Sequence, residues 1–151
     1  LGVGLGGFFD GIVLHQVLQW HHMVSADYPP TTVASLRFNV LWDGLFHAAT
    51  YLFTLAGLLL VWRTGVTRPD VRWSHSTAAA GLLIGWGAFN VLEGLVNHHA
   101  LGIHHVRPGP SQLAYDLGFL AWEAAMLLVG WEVARGEAGA AAAVAERRPA
   151  A

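Results

Sequence analysis

The sequence predicts an all-α protein, a four-helix transmembrane bundle, on three observations. Hydrophobic residues make up 54% of the chain against 12% charged, too apolar a balance for a domain surrounded by water. Four apolar stretches recur, each near the roughly 20 residues a helix needs to cross a bilayer, and segments bearing proline or arginine divide them. Within the stretches, polar residues return every three or four positions, the period of a helix face. Only a structure that satisfies its own backbone hydrogen bonds is stable in lipid, and a helix does so.

The same composition excludes several functions. Eight cationic residues, all arginine, face ten acidic ones, so no excess of positive charge recommends a nucleic-acid partner. Cysteine is absent, which removes disulfides, thiolate nucleophiles, iron–sulfur clusters and thiolate zinc sites. Met23 and Met126 are the two thioethers, poor support for a copper(I) site. Nine histidines remain as candidate ligands.

The first span occupies residues 1–20. It carries Asp10 and His15 and no small-residue cleavage site, so it reads as a retained helix rather than a signal peptide. Its glycines suit close helix packing in lipid, with Gly7 and Gly11 at the small-xxx-small spacing. Pro29 and Pro30 mark the loop that follows. The second span, 38–62, places Asn39, Asp43 and His47 on one face. A loop at 63–75 leads to the third span, which begins near Ser76 and ends near His98, with Asn90, Glu93 and Asn97 in one stripe. Pro108 and Pro110 precede the fourth span, 112–133, where Gln112, Asp116 and Glu123 lie near one face. Residues 1–135 thus form a four-span membrane domain, and the alanine-rich segment 136–151 is expected to be a frayed or disordered cytoplasmic tail.

Arg63, Arg68 and Arg72 after the second span, and Arg135, Arg147 and Arg148 after the fourth, place both regions in the cytoplasm by the positive-inside rule. Both termini are then cytoplasmic, and the loops at 21–36 and 99–111 face outward. At ~1.5 Å per residue, His15, Asp43, Glu93 and Asp116 fall roughly 6–12 Å below the outer helix ends, with Asp10, His47 and Glu123 about 15 Å down. Trp20 and Trp42 at the outer ends, and Trp62 and Trp131 at the inner ends, read as interfacial anchors.

Three helices carry a carboxylate, a glycine and a histidine one turn on: Asp10-Gly11 with His15, Asp43-Gly44 with His47, and Glu93-Gly94 with His98. The spacing of Asp43 and His47 puts both on one face. The longer spacing in the other two pairs rotates the histidine by roughly 140° on an α-helix, so those pairs share a site only if the helix distorts or they serve different neighbours. A lone intramembrane acid is often a helix-to-helix hydrogen bond. Several together, each costing roughly 2.5–3.5 kcal/mol at the bilayer centre if unpaired and with no arginine inside the spans, call for protons, protonated histidine or a cation as partner, and a cation is the favoured reading.

These residues point to a metal centre of Fe, Zn, Mn or Cu(II), mono- or dinuclear, near the extracytoplasmic side. Its candidate ligands are Asp10, His15, Asp43, His47, Glu93, His98 and Asp116, and His47 is the ligand expected deepest on its stripe. His21, His22, Asn39, Asn90, Asn97, His99, His104 and His105 are placed around the centre as supporting or access residues. The leading reading is a membrane metalloenzyme, oxidoreductase-like or hydrolytic, with catalytic residues left open. The alternatives are a non-catalytic metal or proton handling factor for a respiratory membrane complex, and a b-type haem protein with facing histidines. The implied partners are the lipid bilayer and a metal ion; a membrane-protein partner or homo-oligomer stays open.

The segments GFFDGIVLHQVLQWHHM (7–23), WDGLFHAATYLF (42–53), GWGAFNVLEGLVNHHALGIHHVRPG (85–109) and YDLGFLAW (115–122) resemble the bacterial integral membrane proteins of domain-of-unknown-function family 2243. The resemblance runs from the first span through the fourth and implies four membrane spans and a multi-pass protein of the bacterial inner membrane. It brings no activity with it, and Glu123 lies outside the matching motifs.

Overall fold

The computed structural model describes residues 1–71 and 73–146. Arg72, Arg147 and Arg148, which contribute to the orientation argument, lie outside the described residues, as does the end of the expected tail.

The regular structure of the described residues is all helical. Helix α1 (Gly2–Phe9) continues without a break into a π-helical segment, π1 (Asp10–Val17). Helix α2 (Val33–Thr67) follows a loop, α3 (His75–Glu93) runs into a second π-helical segment, π2 (Gly94–Ala100), and α4 (Gln112–Glu146) is the last element. Three helices are long and apolar enough to cross a membrane: Val33–Thr67, His75–Ala100 and Gln112–Ala143, with mean hydropathies of 1.7, 1.5 and 1.4. The arm formed by α1 and π1 is the shorter fourth member.

Local chemistry explains the boundaries. Past Pro29 and Pro30, Thr32 caps α2 in a reciprocal box with Ser35, which starts the helix ahead of the expected residue 38. At the other end the Thr64 and Thr67 hydroxyls donate back to the carbonyls of Leu60 and Arg63, and the helix passes the expected end at residue 62. Ser74 accepts from the Thr77 amide and caps α3. The segment from residue 136, expected to fray, continues α4 as far as Glu146, consistent with alanine being the strongest helix former.

Helix α1 packs on both α2 and α3, and α3 packs on α4, so the spatial order is α2, α1, α3, α4. The central pair approaches closely because glycine meets glycine. A Cβ added at Gly85 would lie 3.0 Å from the Gly2 Cα and 2.9 Å from the Val3 nitrogen. Around this frame the usual distribution of side chains is inverted. Among the described residues the buried hydrophobic side chains are Leu14, Met23, Ala80 and Val106, while Asp10, His15, Asn39, Asp43, Asn90, His98, Asp116 and Glu123 are all at most 2% exposed. Leu52, Leu59, Leu60, Trp62, Trp122 and Leu128 face outward. An apolar exterior and a polar interior are what lipid, rather than water, selects.

The two halves of the chain repeat one another. Helix α1 with π1 and helix α3 with π2 both run toward the end of the bundle that holds the histidines, and α2 and α4 both run away from it. These are parallel repeats, related by an approximate two-fold axis along the bundle. Gly2 and Gly85, an equivalent pair, meet at the far end of that axis.

The packing predicts that Gly85→Ala lowers the thermal midpoint in detergent, by an amount equivalent to about 1–3 kcal/mol, because its new methyl meets backbone. Gly81→Ala, four residues earlier on the same helix where a Cβ meets nothing within 4 Å, should leave the midpoint unchanged or raise it.

Candidate metal centre

The five-residue spacing of carboxylate and histidine fits the helical form the backbone takes there. Asp10 to His15 spans π1, and Glu93 to His98 runs into π2, where the i→i+5 pattern returns the fifth residue to the same face. His15 Nε2 lies 3.3 Å from Asp10 Oδ2, and His98 Nε2 lies 3.6 Å from Glu93 Oε2. Both π segments end alike. The Leu18 amide donates to the Val13 carbonyl at 2.8 Å and that of Trp20 to Leu14 at 3.0 Å, while Leu101 donates to Val96 at 2.7 Å and Ile103 to Asn97 at 3.0 Å. The residue inside each of these loops has positive φ, Gln19 at 50° and Gly102 at 62°.

That left-handed residue turns the chain back over the helix end and delivers a pair of histidines. His21 and His104 go inward and are buried; His22 and His105 stay half-buried at the rim. Asp10, His15, His21, His22 and Met23 are followed by Glu93, His98, His104, His105 and Val106 at a constant interval of 83 residues. The rings obey the same symmetry. His15 and His21 lie 4.3 Å apart between centroids and His98 and His104 4.9 Å, while the crossed pairs, His15 with His104 and His21 with His98, are at 5.7 and 6.2 Å. His21 and His104 stack on each other at 4.7 Å with planes 6° apart, on the axis itself.

Three of the four buried imidazoles are oriented from behind by a hydrogen bond through Nδ1. His15 Nδ1 donates to Asp43 Oδ1 at 2.9 Å, His21 Nδ1 to the Val106 carbonyl at 2.8 Å, and His104 Nδ1 to the Met23 carbonyl at 2.9 Å. The two carbonyl contacts cross between the halves and tie each loop to the other repeat. His98 Nδ1 faces Asp116 Oδ1 at 3.7 Å, in ion-pair range and too long for a hydrogen bond. With Nδ1 spent as a donor, the Nε2 atoms of His15 and His21 point inward without a hydrogen-bond partner, as does that of His98. Burial, followed by the neighbouring His15 and His104, holds His21 down to about 2, so its Nε2 carries a free lone pair. His104 Nε2 faces Glu93 Oε1 at 2.9 Å. Ligand atoms of His15, His21 and His104, and again of Glu93, His98 and His104, lie within 4.8 Å of one another.

The other expected residues take different places. Asp43 and Asp116 sit behind the ring of imidazoles because their oxygens are already committed. Asp43 accepts from His15, from His22 at 2.6 Å, from Gln16 and from the Met23 amide, and Asp116 accepts from His105 at 2.8 Å and from the Val106 amide. His47 is not brought into the cluster. It stacks on Phe8, and its Nε2 occupies the space a side chain at Gly11 would need. Asn39 ties the loop to α2 through the Tyr28 carbonyl, and Asn97 donates to Glu93 at 3.0 Å. His99 is exposed. Asn90 is buried on α3 a turn below Glu93, and Glu123 accepts from Trp86 at 3.4 Å. His21 and His104, expected in supporting roles, stand at the centre; their equal spacing from His15 and His98 is the sequence signal that marks them.

A family model described as "Predicted membrane protein (DUF2243)" matches residues 1–137. The chain belongs to this family. No curated protein and no solved structure matches it. The family match covers both repeats and every member of the cluster. At the loop end of the bundle, beside the cluster, lies a cleft of about 680 Å³ lined by His21 and His104 together with Trp20, Pro29, Pro108 and Gln112. The paired histidines line this cleft while staying 3% and 1% exposed.

Gln19 holds a backbone conformation that its counterpart meets with glycine. Gln19→Gly should raise stability by roughly 1 kcal/mol in a detergent melt, and Gly102→Ala should lower it by a similar amount.

Proposed function

We propose that this membrane protein holds a transition-metal centre at the loop end of its bundle and works there as a metalloenzyme on a small molecule that reaches it through the cleft. The observation that carries the reading is the set of four buried imidazoles. Three are fixed through Nδ1 by a carboxylate or carbonyl, and all four turn Nε2 toward the others and toward Asp10 and Glu93. This arrangement of supporting acceptors behind inward nitrogens is how proteins hold metal-ligating histidines. A network of hydrogen bonds alone would leave the His21 and His98 lone pairs buried and unused, at a cost of about 1–3 kcal/mol each.

The chain's own part in the chemistry follows from the same contacts. Asp116 stands behind His98 in ion-pair range, and Asp43 sets the tautomer of His15 and raises its basicity as a donor. Met23 and Val106 do the same for His104 and His21 through carbonyls. Imidazole and carboxylate donors suit Fe, Zn, Mn or Cu(II). Such an ion supplies Lewis acidity or redox capacity to whatever occupies the cleft. A second reading, capture and hand-over of an ion for a respiratory complex, is favoured by one observation, the place of His21 and His104 in the lining of the cleft.

The setting we propose is a bacterial inner membrane with the cluster on the extracytoplasmic side. Arg63, Arg68 and Arg135 lie toward the end opposite the histidines, as the positive-inside rule requires of a cytoplasmic face. A cysteine introduced at Ser25 should then react with an impermeant reagent added outside whole cells, and one at Thr67 should not.

Elemental analysis with an optical spectrum on protein purified without chelator tests the central reading. Tightly retained metal without a Soret band is expected, and weakly exchanging metal would instead favour ion handling. Replacing His15, His21, His98 and His104 together by alanine should reduce metal content at least tenfold. His47→Ala and His99→Ala should leave it unchanged, and equal loss in all three would remove the assignment.

A further inference from the structure

We infer that the centre holds two metal ions, one for each repeat, bound by Asp10, His15 and His21 on one side of the axis and by Glu93, His98 and His104 on the other. The inference rests on the metal-centre reading above and concerns how many ions that centre takes.

The two ligand sets are images of one another in sequence and in space. Each has two imidazoles and one carboxylate, the combination that holds an ion while leaving coordination positions open. In each set the carboxylate lies beside histidine of its own half. Asp10 is 3.3 Å from His15, and Glu93 is 2.9 Å from His104 and 3.6 Å from His98. Among the described residues neither carboxylate comes within 4.0 Å of a histidine of the other half. The carboxylates therefore mark one group in each half, and His104, whose ligand atom also lies within 4.8 Å of those of His15 and His21, stands where the two groups meet. They remain neighbours because His21 and His104 stack at 4.7 Å where the halves meet.

The charge at this end accommodates the same number. Asp10, Asp43, Glu93 and Asp116 are buried at this end, and among the described residues their ion-pair partners are histidines alone. Two divalent ions offset four carboxylates. The hydrogen bonds behind each set are also doubled: His22 and the Met23 amide hold Asp43, and His105 and the Val106 amide hold Asp116. A centre with one ion would need the full supporting frame in only one half.

The test is the metal-to-chain ratio of the full chain in detergent, stripped by chelator, reloaded with Mn(II) or Zn(II) alone and freed of excess metal. About two ions per chain are expected for the unaltered protein, with a spin-coupled resonance from the Mn(II) form because the ions are neighbours. Asp10→Asn combined with His15→Gln should retain about one ion, Glu93→Gln combined with His98→Gln about one, and all four changes together none. One ion per chain with an uncoupled Mn(II) spectrum in the unaltered protein would overturn the two-ion centre while leaving the metal-centre reading standing. Loss of all metal from either half-variant, with the helix content of the protein intact, would also overturn it by showing one composite site. No metal in the unaltered protein would overturn both readings. The spectrum of the unaltered protein decides the question even if a variant fails to fold.

Discussion

The structure depends on a single constraint: in lipid, a buried polar atom is satisfied by the chain itself or not at all. Asp43 shows how the chain meets it. This carboxylate, almost fully buried, receives His15, His22, Gln16 and the Met23 amide, and so fixes an imidazole, closes a loop over the helix end and fastens that loop to α2. Asp116 performs the same work with His105 and the Val106 amide. Once these acceptors are filled from behind, the remaining inward nitrogens have only each other and the carboxylates of Asp10 and Glu93 to face.

The π-helical turns and the repeat follow from the need to bring those groups to one level. An α-helix would send His15 and His98 away from Asp10 and Glu93; one widened turn in each returns them. Widening a turn costs hydrogen-bond geometry, and such segments persist where the surroundings hold them, often at functional sites. Here the left-handed residue at Gln19 or Gly102 ends the wide turn and the crossed contacts, His21 to Val106 and His104 to Met23, clamp it from the opposite repeat. Neither half completes the cluster alone. Far from the cluster, the contact of Gly2 with Gly85 lets α1 and α3 come close enough for the two histidine pairs to stack.

The architecture is legible in the sequence because hydropathy and helical spacing are local signals. They identify four helices, their order and the polar stripes. Asp10, His15, Glu93 and His98 are legible as residues that come together, and their five-residue spacing by itself points to a distorted helix. Two kinds of information are missing from such patterns. Whether a carboxylate ligates or supports depends on what stands behind it, which spacing along one helix does not carry, and so Asp43 and Asp116 read as ligands. Adjacent histidines at a helix end look like a solvent-facing mouth, and it takes the left-handed turn at Gln19 and Gly102 to bury His21 and His104 while His22 and His105 stay at the rim. His47 fits its stripe but meets Gly11 of a neighbouring helix, a contact no single-helix pattern contains.

The most direct measurement of the central claim, that inward imidazoles from both halves meet at a metal, is X-ray absorption at the edge of whatever metal the purified protein retains. The account predicts nitrogen and oxygen neighbours at roughly 2.0–2.1 Å for a zinc-loaded sample, with strong outer-shell scattering from about two imidazole rings per ion. A metal edge without imidazole scattering, or a spectrum unchanged when His15, His21, His98 and His104 are all replaced by alanine, would contradict it.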